Sequence, residues 1–201
     1  MEQGIEQAWE QLASRDPRDV SVRAAVEYSE RESCYRVPVL GHVVRVDPKA
    51  HTLAGSSPEA ESLLNKLAYF SRLSVLHYLL GAQRLEPSGR LLKPEELKSG
   101  QFYARGSHKL PLDQLATRYS EDAEAFLAQG RHFGGEARDY GDAAVELRPF
   151  PRVPVTLILW QADEEFPAAS SLLFDETCEL HLPPDIVWSV AMMCTLAMLR
   201  G

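Results

Sequence analysis

The sequence contains few cysteines, and no two of them have the spacing of a metal or redox motif. Three cysteines, Cys34, Cys178 and Cys194, occur in 201 residues, and the pattern C-x-x-C does not occur. An odd number of scattered cysteines is a poor basis for a disulfide framework. We therefore expect reduced thiols and a cytoplasmic protein.

Several catalytic and nucleotide-binding signatures are also missing. The patterns G-x-x-x-x-G-K-S/T, G-x-S-x-G and H-E-x-x-H do not occur. Their absence removes the usual sequence support for a P-loop nucleotide site, a serine-hydrolase elbow or a helical zinc protease. The sequence therefore identifies no cofactor and assigns no catalytic residue.

Basic residues are in the minority, with 21 Lys and Arg against 29 Asp and Glu and a formal net charge of -8. Nucleic-acid backbones are bound by Lys and Arg that displace counterions, so we predict no nucleic-acid partner. The longest apolar segment, residues 186–199, is too short to span a bilayer. The N-terminus lacks the basic start and apolar run of a signal peptide. We therefore predict no membrane association.

The composition that remains is that of a globular protein, with 45% hydrophobic and 25% charged residues. This length is enough for one sizeable core. We predict a single α+β domain over residues 1–201, in which residues 1–30 form a helical N-terminal extension.

Periodicity predicts the main elements of this domain. Residues 34–47 are rich in Tyr and Val and predict a hairpin that turns near Gly41, followed by a linker over residues 52–58. Ser57 and Pro58 predict the start of a long core helix that continues to about Leu80. A second helix is predicted from the Pro183-Pro184 step to about residue 199. Together these patterns predict an α+β fold with a mainly antiparallel sheet of about five strands, the long core helix, and the C-terminal helix packed against it.

The strongest strand signal is residues 155–160, which are apolar at nearly every position and predict a central strand covered on both faces. An acidic turn and a second strand signal follow. A hairpin in which Gln161 faces Ser171 would place Leu157 opposite Asp175, roughly 13 Å along the strand. Such a register separates Asp163 from Asp175 and excludes a two-carboxylate site formed by them.

The acidic turn itself comprises Asp163, Glu164 and Glu165. Three adjacent acids beside a buried strand could bind a hard cation, or one carboxyl could lie in an apolar setting that raises its pKa. The alternative is a solvated turn whose charges protect the strand end.

Three further motifs are weaker candidates. Cys178 and His181 have a C-x-x-H spacing, but a structural zinc site needs four ligands, so we predict no metal site. His77 lies in the long helix, where it is either a hydrogen-bonded or surface residue or a haem or metal ligand. The basic loop 105–109 could bind an anion if it leads into a helix N-terminus.

The chain resembles domain-of-unknown-function family 3786, a group of prokaryotic proteins of about 200 residues with no established activity. The resemblance rests on W-Q-A-D-E-E-F-P with L-L-F-D (residues 160–167 and 172–175), supported by residues 76–80, 134–136, 141–144, 151–154 and 182–185. Some members resemble iron–sulfur proteins through an added cysteine-rich segment, which this chain lacks. The resemblance implies functional positions at its acidic and aromatic residues, namely Asp142, Trp160, Asp163, Glu164, Glu165, Phe166 and Asp175.

The leading hypothesis is a ligand-binding or accessory protein, serving a cofactor or metalloenzyme system, with the acidic turn as one wall of its pocket. Its partner would be a small molecule or a protein. A second hypothesis is an enzyme that uses Asp163, Glu164 or Glu165 as a general base or metal ligand. A third is an interaction protein that forms a homodimer through an exposed apolar face of the last helix, including Trp188, Met192 and Met193.

Overall fold

Two antiparallel sheets form the framework of the computed structural model, which describes residues 2–98, 100 and 109–200. The helices are α1 Glu2–Ala13, α2 Pro17–Ala24, α3 Pro58–Lys66, α4 Ala68–Gly81, α5 Leu112–Arg118, α6 Ala123–His132, α7 Cys178–His181 and α8 Pro184–Leu199, with a 3₁₀ turn at Pro94–Glu96. The strands are β1 Glu27–Ser29, β2 Cys34–Val39, β3 His42–Asp47, β4 Thr52–Gly55, β5 Leu91–Leu92, β6 Glu136–Arg138, β7 Ala143–Phe150, β8 Val153–Trp160 and β9 Ala169–Asp175. The predicted α+β class is confirmed.

The first sheet has four strands in the order β1-β2-β3-β4. Its central hairpin turns at Leu40 and Gly41, whose φ angles of 47° and 75° suit the two-residue turn that matches strand twist. The hairpin predicted near Gly41 is therefore confirmed. The prediction of a linker over residues 52–58 is wrong in its first half, because Thr52–Gly55 pairs with β3 as β4.

The second sheet has five strands in the order β5-β9-β8-β7-β6, so β8 is central as predicted. All residues of β8 except Trp160 are buried. One face of this sheet carries Val155, Leu157 and Leu159 into the core. The opposite face carries Thr156 and, on β7, Glu146. The second face is therefore the more polar one.

The predicted register of the β8–β9 hairpin is wrong by three residues. Ile158, rather than Gln161, faces Ser171, and Leu157 faces Leu172. Because the side-chain period of a strand is two, this odd shift exchanges the faces. Leu172 and Phe174 therefore share the core face with Leu157 instead of lying with Ile158 and Trp160.

The predicted long helix over residues 58–80 is two helices. Its start is confirmed, since Ser57 Oγ accepts a 3.2 Å hydrogen bond from Ala60 N. The helix ends at Lys66, where Leu67 leaves helical geometry at φ −106° and ψ 9°. The Arg200 guanidinium donates to the Lys66 carbonyl and satisfies one of the open acceptors of this helix end. The break redirects the chain, so that α3 packs against β4 and α4 packs against α8.

Helix α8 is the most buried helix of the core, with ten buried residues that include Val190, Cys194 and Met198. A helix that is apolar around its circumference belongs inside a protein. At the other end of the chain, α1 and α2 pack against α4 through buried Trp9, Leu12 and Val20. Within the described residues, the length and apolarity of every helix fall short of what a membrane span needs.

Candidate functional site

The acidic and aromatic residues predicted as a site lie mostly at one end of the five-stranded sheet, on its connecting loops. Asp163 Oδ1 accepts hydrogen bonds from Glu165 N at 2.8 Å and Phe166 N at 2.7 Å. Asp142 Oδ2 accepts one from Gln161 N at 2.7 Å. These two carboxylates therefore shape the loops that carry them.

The acidic turn is open to solvent. Asp163, Glu164 and Glu165 are all exposed, and the flanking rings of Trp160 and Phe166 are 40% and 66% exposed. The enzyme hypothesis requires at least one enclosed carboxyl, and this turn provides none. Across the described residues, no three His, Cys, Asp or Glu side chains converge in a way that could hold a metal ion.

Asp175 lies apart from the acidic turn, near the opposite end of the β8–β9 hairpin and beside Leu91 of β5. It is 1% exposed, and its carboxylate accepts from Ser88 N, Gly89 N, Thr177 N and Thr177 Oγ1 at 2.6–3.1 Å. Burial alone would raise the pKa of Asp175, but these hydrogen bonds outweigh it and hold the pKa below its usual value. Asp175 is an ionised anchor for the loop before β5.

A second buried anchor, Arg152, was not identified by the sequence analysis as a key residue. Its side chain is 8% exposed; Nε donates to the Arg23 carbonyl at 2.7 Å, and the other nitrogens donate to the carbonyls of Val22 and Leu85 and to Glu86. Its backbone N–H donates to the Tyr78 hydroxyl, which itself donates to the Ala24 carbonyl. Arg152 therefore ties α2 and the loop after α4 to the five-stranded sheet.

The Cys178–His181 pair is unsuited to metal binding. The His181 Nδ1 atom accepts a hydrogen bond from Gln83 N at 3.2 Å, so the proton of the neutral ring lies on Nε2 and neither nitrogen offers a free lone pair. Burial raises the pKa of the Cys178 thiol to about 12, which keeps it protonated. In this arrangement neither side chain presents a free lone pair or thiolate to a metal ion.

Two other predicted candidates have no assigned chemistry. His77 is half-buried in α4, and burial lowers its pKa, so it is neutral near neutrality. In the basic loop 105–109, residues 105–108 lie outside the described residues. On the last helix, Met193 is fully buried, whereas Trp188 and Met192 are half-buried, so the apolar face of the homodimer hypothesis is exposed only in part.

A cavity that we call the junction pocket lies where the four-stranded sheet meets the helices on the five-stranded sheet. Its volume is about 300 Å³. This is at the lower end of the range for small-molecule sites. Its lining comes from one side of α3, the turn before β3, and the ends of α6 and α8, namely His42, Pro58, Glu59, Ser62, Leu63, Lys66, Leu67, His132, Phe133, Leu196, Ala197 and Arg200.

Contact between two glycine turns brings the histidines of the junction pocket together. Gly41 and Gly134 both have positive φ, and a Cβ added to Gly134 would lie 2.9 Å from the Gly41 Cα. His42 and His132 adjoin these turns, and their ring centroids are 5.9 Å apart in an edge-on arrangement. Only residues without a side chain allow the turns this close approach.

The two ends of the junction pocket differ in charge. At the histidine end, burial and the neighbouring His132 lower the pKa of His42, so the ring is neutral near neutrality. Glu59, at the same end, is held by its own backbone N–H and by Ser57, and these hydrogen bonds lower its pKa. At the other end lie Lys66 and Arg200, and neither forms an ion pair with a carboxylate of the described residues.

Substituting Gly134 with alanine is expected to lower the free energy of unfolding by about 2 kcal/mol. The new Cβ adds left-handed strain and contacts the Gly41 backbone. Gly89→Ala is the matched control, because Gly89 also has positive φ, at +80°, but a Cβ there meets nothing within 4 Å. This control should lose only about 1 kcal/mol. Urea unfolding of both variants measures the difference, and equal losses would show that the turn contact contributes nothing.

Local sequence patterns could not reveal the junction pocket. Its charged and polar lining residues come from four separated segments, represented by His42, Glu59, His132 and Arg200. The usable signals were the Ser57 cap, which fixes the start of α3, and a glycine within two positions of each histidine. The contact between the two glycine turns depends on how the sheets pack, and the spacing of residues in the sequence does not predict it.

The comparison with protein families finds a match for this chain. Neither the search of curated proteins nor that of solved structures finds a match. The family described as "Domain of unknown function (DUF3786)" matches residues 16–197. This range includes the anchors Arg152 and Asp175 and all of the junction pocket except Arg200. The chain belongs to the DUF3786 family.

Proposed function

We propose that this protein binds a small amphipathic anion in the junction pocket. The proposal rests on two cations, Lys66 and Arg200, which lie at one end of a largely apolar cavity. Among the residues that the structure describes, neither cation has a carboxylate partner. Glu59 lies at the opposite end and is already engaged by the α3 cap. The three side chains sum to one net positive charge, which favours an anionic head group.

The walls between the two ends suit an apolar tail. Leu63 of α3 and Leu67, directly after α3, are buried. Phe133 closes the histidine end, and Leu196 and Ala197 come from α8. Burying a hydrocarbon tail against such walls stabilises a complex by about 25 cal/mol per Å². A charged head then selects the ligand orientation, because its cations lie at one end only.

The proposal concerns binding rather than catalysis. The predicted accessory role in a cofactor or metalloenzyme system has no separate support, since no metal-binding group was found within the described residues. The predicted cytoplasmic location is supported by the three cysteines, which are all free and buried. A reducing compartment leaves such thiols unpaired.

Octanesulfonate is a suitable probe because it joins an apolar tail to an anionic head that stays charged across the accessible pH range. Octyltrimethylammonium carries the same tail with a positive head. We expect calorimetric titration to show binding of the first and not of the second. Arg200→Gln and Lys66→Gln should each weaken octanesulfonate binding about tenfold, or about 1.4 kcal/mol.

Arg18→Gln is the matched control for these substitutions, because its side chain is 84% exposed and lies outside the pocket lining. It should leave octanesulfonate affinity unchanged. Equal affinity for both head groups, or a loss in Arg18→Gln as large as that in Arg200→Gln, would overturn the proposal.

Octanesulfonate affinity should rise as pH falls below about 6.5, the ordinary pKa of histidine. Burial and His132 hold the pKa of His42 below that value, so its ring gains positive charge only at lower pH. An anion in the pocket is attracted to the charged ring. His42→Gln should remove part of this pH dependence, and an unchanged profile would show that His42 does not face the ligand.

A further inference from the structure

The polar face of the five-stranded sheet carries a second cavity, separate from the junction pocket, which we call the sheet-face cavity. Its volume is about 310 Å³. It is bounded by strands β6 to β8, the end of β9, the turn before β7 and the loop before β5, and its lining includes Arg138, Tyr140, Glu146, Arg148, Thr156 and Asp175. It shares no lining residue with the junction pocket.

Thr156 is the least satisfied polar side chain of the sheet-face cavity. It lies on the central strand between Glu146 and Leu173, is 1% exposed, and its Oγ1 has no hydrogen-bond partner among the described residues. A buried hydroxyl without a partner is unfavourable. Because Thr156 also lines the cavity, a ligand there could supply the missing hydrogen bond.

The charged side chains of the cavity already have partners: its arginines pair with glutamates, and Asp175 accepts hydrogen bonds from Ser88, Gly89 and Thr177. Arg138 Nη2 lies 3.1 Å from Glu146 Oε2, and Arg148 Nη2 lies 2.9 Å from Glu146 Oε1. Arg138 also pairs with Glu136 at 3.0 Å. Two arginines thus balance two glutamates, and a charged ligand would have to break these pairs. A guanidinium carries five N–H donors, and the ion pairs use only some of them. The paired arginines and glutamates can therefore still hydrogen-bond a ligand, although together they carry no net charge.

Tyr140 adds an apolar surface to this polar wall. It lies in the turn between β6 and β7 and is 48% exposed. An exposed aromatic ring offers a flat face for C–H groups and a hydroxyl for hydrogen bonding. The cavity therefore combines an aromatic face, a buried hydroxyl and neutralised charged donors and acceptors.

We propose that the sheet-face cavity binds a neutral polyhydroxylated molecule of the size of a monosaccharide. Such a ligand has hydroxyls that both donate and accept, which suits Thr156 and the Arg138–Glu146–Arg148 group. It also has a ring face of C–H bonds for Tyr140. An apolar ligand would leave the polar groups unsatisfied, and an anion or cation would compete with the existing ion pairs.

The test uses the methyl glycosides of glucose, galactose and mannose, with saturation-transfer NMR and calorimetric titration. Wild-type protein should bind at least one of them with millimolar affinity. Thr156→Val keeps the side-chain shape, removes the hydroxyl, and should weaken that binding about tenfold. Its thermal stability should be equal or higher, since an unsatisfied hydroxyl is lost. Tyr140→Ala changes an exposed position and should also weaken binding about tenfold. It replaces Thr156→Val as the test if that variant does not fold.

Thr52→Val, an exposed position on the other sheet, is the matched control and should bind as wild type does. Absence of binding of all three glycosides would overturn the proposal. Unchanged affinity in Tyr140→Ala, or in a folded Thr156→Val, would do the same. Displacement of the bound glycoside by octanesulfonate, with loss in Arg200→Gln, would assign the sugar to the junction pocket instead.

Discussion

Arg152→Ala is expected to lower the free energy of unfolding by about 4 kcal/mol, the largest effect of any single substitution we describe. The side chain is almost fully buried, and three backbone carbonyls, those of Val22, Arg23 and Leu85, accept from it. Removing it leaves these carbonyls without that donor and removes the packing of its buried hydrocarbon stem. The Glu86 partner is 82% exposed, so the ion pair contributes little of the loss.

Chemical denaturation with urea measures this effect. Arg18→Ala is the control, because its ion pair with Glu30 is on the surface and should be worth less than about 1 kcal/mol. Glu86→Gln separates the charge pair from the carbonyl contacts and should also cost less than about 1 kcal/mol. If Glu86→Gln destabilised as much as Arg152→Ala, the carbonyl contacts would not be the source of the stability.

Asp175→Asn is expected to lower the free energy of unfolding by about 3 kcal/mol at about pH 7. The carboxylate accepts on both oxygens, from Ser88 and Thr177 at Oδ1 and from Gly89 at Oδ2. An amide has one acceptor oxygen only. Its NH₂ group would face a backbone N–H donor, either that of Gly89 or those of Ser88 and Thr177.

The difference between wild type and Asp175→Asn should depend on pH. The folded-state pKa of Asp175 is lowered, so the stability that its charge contributes is fully present above the unfolded-state pKa of about 3.9. That stability is lost as pH falls through the folded-state pKa. Urea unfolding in steps from about pH 7 to about pH 3 should therefore show the two proteins converging only at the acid end.

Asp139→Asn, an exposed aspartate, is the control and should change stability by less than about 0.5 kcal/mol at every pH. A difference between wild type and Asp175→Asn that stayed constant to the lowest pH would mean that hydrogen-bond geometry, and not charge, accounts for the anchor.

The elements that sequence predicted well have a local physical cause. The Leu40-Gly41 turn and the Ser57 cap depend on residues within a few positions of one another, and the fully apolar run of β8 identifies a buried strand without reference to its neighbours. The β8–β9 register was mispredicted because the connecting loop is longer than a tight turn and fixes no pairing. The break at Leu67 has no glycine or proline to mark it, and the carbonyl at that helix end is satisfied by Arg200, distant in sequence.

The candidate site residues also divide into those with a local sequence signal and those whose role depends on residues distant in the chain. The sequence predicts a site at the acidic turn because Asp163, Glu164 and Glu165 are adjacent, but in the structure this loop places all three carboxylates in solvent. Asp175 was predicted as a functional position by the family resemblance, but its role as a buried anchor depends on Ser88 and Gly89, which lie far away in the chain. Arg152 likewise contacts residues up to 130 positions away. Cavities built from such distant segments are invisible to any rule of spacing.

The lengths of the strands bear on the risk of strand pairing between molecules in a crowded solution. Its longest and most apolar strands, β7 and β8, have eight residues each and lie inside a sheet. The four edge strands are much shorter, at three and four residues in one sheet and two and three in the other. A short edge offers few open N–H and C=O groups to a neighbouring chain, and β6 adds the charges of Glu136 and Arg138. The segments most able to form fibrils are thus the ones least available for intermolecular pairing while the fold is intact.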